Sequence, residues 1–461
     1  MARTPGRLSP HPWAHSARFY HIYPLGCCGA PASLHGAHPT ERLAQLHGWI
    51  DHLHSLGVNA VWLGPLFAAS SHGYDTLDYY HLDPRLGNEA TLRELVRALH
   101  SRGIRVVLDA VFNHVGRDFW AFRDLRRNRQ ASAYTSWFQR LNFKRGNRLG
   151  DPFSYQGWKG HPELVKLKLS NPAVRKHLLG ALSYWIQAFD IDGLRLDAAD
   201  CISMGFLKRL AGHARALKRD FWLMGEVVHG DYTKWVHQGQ LDALTNYELY
   251  HALHTSHRQG DYLKLAHSLQ RQFGPHGVYR GLQLYNFVDN HDVTRINSRL
   301  ANPALLYPLY LLLYTLPGIP SLYYGSEWGM EGHKGRHSDA ALRPAISHPY
   351  HHPKSQPDLM AVISRLAALH AASPALQYGG WHLLHESRKT LAYVRHCDHE
   401  NLLVVVHGGA RRGELQLNLP WHHGELVDLL NPGERFPIQH SQVNLAPLHP
   451  YWGRILRWQS H

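Results

Sequence analysis

Three features are scarce in this sequence, and the scarcity of each argues against a class of protein. Only four cysteines occur in 461 residues, and they contain no Cys-x-x-Cys pair. That usage does not suit a disulfide-stapled secreted domain or a thiolate metal site. Reduced thiols in a cytoplasmic protein are the simplest interpretation.

Long apolar runs are also lacking. The nearest candidate, residues 305–316, contains tyrosines and Pro308, so we predict a core helix there rather than a membrane span. Residues 1–7 are not followed by an apolar stretch, which argues against a secretory signal. We therefore expect no membrane partner.

Acidic residues are the third scarcity, with 35 Asp and Glu against 49 Lys and Arg and a net charge of +14. Such a balance can indicate a polyanion partner, which would make retention on nucleic acid strongly salt-dependent. The basic residues are spread along the chain, however, with one modest cluster at 123–129 and no nucleic-acid motif. A solvated basic surface is the favoured interpretation, and we expect no nucleic-acid partner.

What the sequence does contain is a repeated unit of apolar strand, loop and amphipathic helix, typical of a parallel sheet covered by helices. Eight such strands are the number in a (β/α)₈ TIM barrel, which is an α/β fold. The predicted strands are 19–24, 58–65, 104–109, 193–197, 221–226, 243–248, 285–289 and 321–324, and the predicted helices 41–56, 90–102, 173–189, 204–218, 262–272 and 303–315.

Two segments depart from this rhythm. Residues 116–165 are rich in Arg, aromatic residues and Gly without a clean period, which indicates an insertion after the third strand. From residue 377 short strands with turn residues between them predict an antiparallel β-sandwich domain, with strands at 381–384, 390–395, 402–407, 414–417 and 426–429. The predicted barrel therefore comprises 1–115 and 166–376, the insertion 116–165, and the C-terminal domain 377–461.

Polar residues follow several of the predicted barrel strands, at the end where TIM-barrel enzymes place their active sites. Each could be structural on its own, but packing carboxylates together costs mutual repulsion, which favours a functional site. They are Asp109, Asn113 and His114 after the third strand, Arg195 and Asp197 at the fourth, Glu226 at the fifth, and His291 and Asp292 after the seventh.

The environments of two of these carboxylates predict a division of labour. Arg195 and Asp197 lie two apart on a strand and share a face, so we expect the guanidinium to lower the pKa of Asp197 and keep it ionised as a nucleophile. Glu226 has the apolar neighbours Met224, Val227 and Val228, and desolvation there would favour the protonated form that a general acid requires. Two carboxyl groups about 5–5.5 Å apart are the equipment of a retaining glycosidase. Asp292 would hold sugar hydroxyls and stabilise positive charge at the anomeric carbon.

Four segments in this order resemble the four sequence regions of the α-amylase family, glycoside hydrolase family 13. They are Asp109–His114, Gly193–Asp197, Gly225–Val228 and Phe287–Asp292. The resemblance implies that 116–165 is the family's domain B. It implies catalytic roles for Asp197, Glu226 and Asp292, and substrate contacts from Asp109, His114, Arg195 and His291. The segment 73–79 resembles the one that places a tyrosine, here Tyr74, against the sugar, and 339–344 resembles a late segment in which Arg343 is a candidate sugar contact.

Within the family, 158–172 and 184–197 look most similar to the cyclomaltodextrinase, neopullulanase and maltogenic amylase group. Those enzymes carry an N-terminal β-domain that joins dimers, and we expect that domain to be lacking here. Monomer and homodimer therefore both stay open. Oligo-1,6-glucosidases are similar too, but carry an Asp where this chain has Ser71, which argues modestly against a strict exo-glucosidase.

The resemblance also raises the question of calcium, because Asn113 matches a family position that often ligates Ca²⁺. Hard cations require several oxygen ligands, and the insertion offers Asp118, Asp124, Asp151 and Glu163 among many Arg and Lys. We expect no metal or other cofactor, with Asn113 as a hydrogen-bonding residue near the site.

The leading hypothesis is a retaining hydrolase of α-1,4 links in maltodextrins, with an α-glucan oligosaccharide as its partner. A transglycosylase or an α-glucosidase would use the same residues. A non-catalytic carbohydrate-binding protein is the alternative from another class, and the presence of all three carboxylates argues against it.

Overall fold

Eight parallel strands form the centre of the molecule, as seen in a computed structural model that describes residues 12–236, 240–336, 338–351, 356 and 358–460. Neighbouring strands pair in chain order, and a parallel bridge between Thr245 and Tyr285 joins the sixth strand to the seventh, so the sheet closes. The predicted (β/α)₈ barrel is confirmed. The strands are β1 (Phe19–Ile22), β2 (Ala60–Leu63), β3 (Arg105–Ala110), β4 (Gly193–Leu196), β5 (Trp222–Gly225), β6 (Ala243–Leu244), β7 (Tyr285–Phe287) and β8 (Ile319–Tyr323).

Helices lie between the strands, and side-chain caps mark the start of five of the described α-helices. The side chain of Asn88 accepts from two backbone N–H groups in a capping box, and Asn171 caps a helix whose first residue is Pro172. The α-helices are Pro12–His15, Pro24–Cys27, Ile50–Ser55, Glu89–Ser101, Trp120–Asn128, Pro172–Phe189, Met204–Leu217, Tyr247–Gln259, Leu263–Phe273, Leu306–Thr315, Leu359–Ala372 and Pro374–Tyr378.

The helix predicted over 41–56 is α-helical only at its end. Arg42–Trp49 forms a 3₁₀ helix, and the α-helix Ile50–Ser55 follows it. The buried residues Leu43, Leu46 and Trp49 are spaced by three. That spacing gives one face in a helix of three residues per turn.

The strand predicted over 243–248 is also shorter than expected. It stops at Leu244, and the helix Tyr247–Gln259, which sequence reasoning missed, begins three residues later. The side chain of Asn246 accepts a hydrogen bond from the Leu249 N–H and so caps this helix. The predicted strand therefore extends across Asn246, the residue that caps the helix.

The segment between β3 and β4 contains a small antiparallel sheet of its own. Its strands are His114–Gly116, Gly157–Trp158 and His161–Lys166, and the last lies in the middle. His114 pairs in register with Lys166, so this insertion is attached directly to the end of β3.

The C-terminal part forms a six-stranded and a two-stranded antiparallel sheet around a shared apolar cluster that includes Leu403, Leu417 and Leu445, which fits the predicted β-sandwich. Three strands were missed. Two of them, Arg435–Ile438 and Gln442–Leu448, contain a proline but have only one strand neighbour each, where a missing N–H is tolerated. In spatial order the strands are Gly380–Glu386, Thr390–Cys397, Glu400–His407, Trp452–Gln459, Gly424–Asp428 and Arg435–Ile438, and then Gly413–Asn418 with Gln442–Leu448.

Within the described ranges, none of the helices combines the length and the apolar character needed to cross a membrane. The apolar segment 305–316 is largely the helix Leu306–Thr315, which lies in the core as predicted.

Candidate active site

One buried guanidinium holds three carboxylates together at the carboxyl end of the barrel. Arg195 Nη1 lies 2.9 Å from Asp109 Oδ1 and 2.9 Å from Asp197 Oδ1, and its Nη2 lies 2.8 Å from Glu226 Oε1. Arg195 pairs in register with Asp109 on the neighbouring strand β3, and Asp197 follows directly after β4. Asp197 and Glu226 are therefore within the reach of a single side chain.

The charge state of Asp197 differs from the sequence expectation. Burial raises the pKa of Asp197 well above its usual value, and Glu226, Asp109 and Asp292 add to the rise, while Arg195 opposes it. The prediction that Arg195 would leave this pKa below normal is therefore wrong in its net direction. Burial likewise raises the pKa of Asp109, against the opposing effect of Arg195. A single cation does not offset burial and several neighbouring carboxylates.

The surroundings of Glu226 are polar, contrary to the apolar setting that we expected. Besides the ion pair with Arg195, its Oε2 accepts a 3.1 Å hydrogen bond from the Ala198 N–H. Tyr247 Oη donates to Oε1 at 3.4 Å. The apolar neighbours along the chain, Met224 and Val227, pack into the core, so they do not form the carboxylate's surroundings.

Tyr74 connects the β3 side of the site to the β7 side. Its hydroxyl donates to Asp109 Oδ2 at 2.9 Å and lies 2.6 Å from His291 Nε2. The Tyr74 and His291 rings are stacked, with centroids 5.5 Å apart. The guanidinium carbon of Arg195 lies 5.8 Å from the centre of the Tyr74 ring, within cation–π range.

Asp292 is held by partners that favour its charged form. His291 Nε2 lies 3.0 Å from Oδ2, and Arg343 Nη2 lies 3.0 Å from Oδ1. Burial alone would raise its pKa, but His291, Arg343 and Arg195 together lower the pKa of Asp292 below its usual value. The Asp292 side chain remains 32% exposed, so a sugar can reach this carboxylate.

His114 lies beside the Asp197 carboxylate, with its Nε2 3.9 Å from Asp197 Oδ2. Burial lowers the pKa of His114 to about 3, so the imidazole is neutral at physiological pH. A neutral imidazole can donate one hydrogen bond and accept another. Direct contacts thus link all nine residues that the sequence suggested.

Sequence reasoning missed three aromatic residues of the site. Trp62 lies under Arg195, with 5.1 Å between the guanidinium carbon and the ring centre. Tyr23 stacks on His291, with centroids 5.7 Å apart, and Tyr247 bonds Glu226. Trp62 and Tyr23 lie at or just after the ends of β2 and β1, and this position was the signal that could have identified them.

The residues near Asn113 do not fit a calcium ion. Asn113 Oδ1 is buried without a hydrogen-bond partner, but the carboxylates proposed to join it are bound elsewhere. Asp151 is engaged by Arg117 and Asn147, Asp124 by Ser132, Asp118 by Arg126, and Glu163 by His161. Across the described part of the chain, moreover, no three His, Cys, Asp or Glu side chains are arranged to hold a metal ion.

Comparison with known proteins agrees with this geometry. The family model described as "Alpha amylase, catalytic domain" matches residues 42–361. The chain belongs to the α-amylase family. It is therefore a glycoside hydrolase.

Relatives of this α-amylase-family chain include a cyclomaltodextrinase of a Bacillus species, 32% identical over 91% of this chain and 77% of the relative. An intracellular maltogenic amylase of Bacillus subtilis is 30% identical over 78% of this chain and 60% of its own length. Among solved structures, a cyclomaltodextrinase superposes with a TM-score of 0.83 at 29% identity, covering 97% of this chain and 79% of that one. A cyclic α-maltosyl-(1→6)-maltose hydrolase from Arthrobacter globiformis, in complex with that sugar, gives 0.81 at 28% identity over 98% of this chain and 100% of its own.

Proposed function

We propose that this chain hydrolyses α-1,4-glucosidic bonds of maltodextrins with retention of configuration. Asp197 is the nucleophile, Glu226 the general acid and base, and Asp292 the carboxylate that stabilises the transition state. The observation that carries the proposal is the shared guanidinium of Arg195, which binds Asp197 at 2.9 Å and Glu226 at 2.8 Å and so holds the two carboxylates within the reach of one side chain. A retaining glycosidase needs its two carboxyl groups at such short range.

In the first step the ionised form of Asp197, which Arg195 favours, attacks the anomeric carbon while Glu226 donates its proton to the oxygen of the departing sugar. The product is a covalent glycosyl-enzyme. In the second step Glu226 removes a proton from water, which attacks the same carbon and releases Asp197. Two displacements at one carbon restore its original configuration.

The other polar groups act on the sugar that is cleaved. Asp292, kept anionic by His291 and Arg343, faces the cleft and offers a negative charge to the developing oxocarbenium ion. Tyr74 presents its ring as a platform and is fixed in place through its hydroxyl by Asp109 and His291. His114 is neutral and supplies a hydrogen bond beside Asp197.

The substrate class is supported by the relatives, whose names are cyclomaltodextrinase and maltogenic amylase. A cytoplasmic location is part of the same proposal, supported by the intracellular relative and by the few unpaired cysteines.

The test is hydrolysis of maltotetraose and a cyclodextrin followed by proton NMR in the first minutes, before the products mutarotate. We expect α-anomers to appear first, and initial release of β-anomers would contradict retention. Asp197→Asn and Glu226→Gln should each lower kcat by about a thousandfold or more. Asp190→Asn is the matched control, because Asp190 lies away from the cleft, is 72% exposed and has a left-handed backbone that Asn tolerates.

A further inference from the structure

A second buried arginine follows the carboxylate Asp292 closely in the chain. Arg295 is fully buried, and its Nη1 donates to the Tyr324 carbonyl at 2.9 Å and to Ser326 Oγ at 3.3 Å. Its guanidinium carbon lies 4.6 Å from the centre of the Tyr323 ring, within cation–π range. Arg295 therefore ties the loop after β7, which carries Asp292, to the end of β8 and the residues that follow it.

The same guanidinium binds the backbone next to Arg343. Its Nη2 donates to the Leu342 carbonyl at 3.1 Å, and Tyr323 Oη donates to the same oxygen at 2.9 Å. On the other side of Arg343, Tyr324 Oη donates to the Pro344 carbonyl at 2.9 Å. These three hydrogen bonds hold the backbone on both sides of Arg343.

The backbone that is held in this way places the Arg343 guanidinium. The helix Pro24–Cys27 packs against it so closely that a side chain at Gly26 would collide with the Arg343 carbonyl. Arg343 Nη2 lies 3.0 Å from Asp292 Oδ1, and its Nε donates to the His291 carbonyl at 3.0 Å. A shift of the Arg343 backbone would therefore move the cation that holds Asp292.

We propose that Arg295 is a positioning residue for Asp292, acting through the backbone beside Arg343 and through the Arg343 guanidinium. This inference rests on the proposed function, in which Asp292 stabilises the positive charge of the transition state. That charge develops only as the glycosidic bond breaks, so a displaced Asp292 loses more interaction with the transition state than with the bound substrate. Loss of the Arg295 contacts should therefore lower kcat and leave KM nearly unchanged.

The first test is the kinetics of Arg295→Lys on maltotetraose. Lysine keeps the positive charge but lacks the planar fork that binds the Tyr324 and Leu342 carbonyls together. We expect kcat to fall about tenfold while KM stays within about twofold of the wild type.

A second readout is competitive inhibition by 1-deoxynojirimycin, a cationic analogue of glucose, and by glucose itself. The inhibition constant of the cationic analogue should rise about tenfold in Arg295→Lys, because its binding depends on where the Asp292 charge lies. The inhibition constant of glucose should stay within about twofold, since glucose carries no charge. A purely structural role would leave the ratio of the two constants unchanged.

Arg395→Lys is the matched control. Arg395 is also fully buried, and its guanidinium donates to the carbonyls of Thr315 and Gly379 from the C-terminal strand Thr390–Cys397. Both lysine variants should lower the urea midpoint, but only Arg295→Lys should change kcat and the ratio of the inhibition constants. If Arg295→Lys changes the urea midpoint alone, its role is structural and the proposal is overturned.

A double variant tests the route through Arg343. In an Arg343→Ala background, Arg295→Lys should change kcat by less than about twofold, because the link to Asp292 is already broken. A further loss of about tenfold in that background would show that Arg295 acts independently of Arg343 and would overturn the proposal.

Tyr323→Phe keeps the proposal testable if Arg295→Lys does not fold. This change removes the other hydrogen bond to the Leu342 carbonyl and leaves Arg295 in place. We expect kcat to fall about threefold with KM unchanged, and a wild-type kcat would contradict the route through this carbonyl. A wild type inactive on maltotetraose would instead refute the proposed function.

Discussion

Arg195 and Glu226 form an ion pair of 2.8 Å, although one lies on β4 and the other follows β5. The same guanidinium binds Asp197 and Asp109, so one fully buried cation determines the spacing of three carboxylates.

Removing the cation should disrupt both folding and catalysis. Arg195→Met would leave three clustered carboxylates facing one another, and we expect a loss of about 3–5 kcal/mol of unfolding free energy. Arg195→Lys should lose less unfolding free energy. Its single ammonium group cannot bind all three carboxylates at once, however, so kcat/KM should still fall by about a hundredfold or more. Urea unfolding and maltotetraose kinetics measure the two effects.

The matched control is Arg271→Met, because Arg271 forms an ion pair with Glu248 on the surface. Surface pairs are worth about 0–1 kcal/mol, so this variant should stay close to the wild type. Equal destabilisation by the two arginine-to-methionine changes would refute the central role of Arg195.

Asp197 and Asp292 should have opposite effects on the pH dependence of stability. The pKa of Asp197 is raised in the folded state, so the folded protein binds more protons than the unfolded protein. The contribution of Asp197 to the free energy of unfolding is therefore present at low pH. It is lost as pH rises from the ordinary aspartate range through the raised pKa. Asp197→Asn should therefore be more stable than the wild type at pH 7, and the gain should shrink toward pH 4.

The pKa of Asp292 is lowered, so its contribution is present above the ordinary aspartate range and is lost as pH falls through the lowered value. Asp292→Asn should therefore lose about 1–2 kcal/mol at pH 7 through weaker bonds to His291 and Arg343. Urea midpoints from pH 4 to 8 measure both variants. If the urea midpoints of Asp197→Asn and Asp292→Asn shift in the same direction from the wild type at pH 7, the opposite pKa shifts of the two residues are contradicted.

Tyr74→Phe tests whether the hydroxyl positions the ring platform. The variant keeps the ring but removes the bonds to Asp109 and His291, so we expect kcat to fall about tenfold, with a smaller rise in KM. Tyr80→Phe is the control, since its hydroxyl donates to the His177 carbonyl on the helix Pro172–Phe189. If both variants keep wild-type kinetics, the Tyr74 hydroxyl has no positioning role.

Glu226→Gln should depend on the leaving group. A general acid matters most when the departing oxygen is a poor leaving group, and fluoride departs without protonation. We expect kcat for maltotetraose to fall at least about tenfold more than formation of the glycosyl-enzyme from α-maltosyl fluoride. Rapid-quench measurement of the first turnover provides the second quantity, and equal losses would remove Glu226 from the acid role.

The barrel was predictable because its strands are continuous apolar runs that end in polar residues. The Arg195–Asp197 contact followed from the alternation of side chains along β4. The pairing of Asp109 with Arg195 depends on the register between β3 and β4, which a single sequence does not state.

The electrostatics of the site were less predictable. The pKa of Asp197 depends on burial and on three carboxylates from other strands and loops as well as on Arg195, so the adjacent arginine alone gave the wrong net direction. The polar surroundings of Glu226 come from Ala198 and Tyr247, which lie 28 and 21 residues away along the chain. Such contacts form only when the barrel closes.

The central claim is that Asp197 becomes covalently attached to the sugar. The Glu226→Gln variant is used because it forms the intermediate from an activated donor but hydrolyses it slowly. It is incubated with a maltosyl fluoride that carries a further fluorine at C5 of the reacting ring. The protein is then digested and its peptides are analysed by mass spectrometry. We predict one added glycosyl mass on the peptide containing Asp197, and no adduct in Asp197→Asn. An adduct on another carboxylate, or none while the fluoride is consumed, would contradict the account.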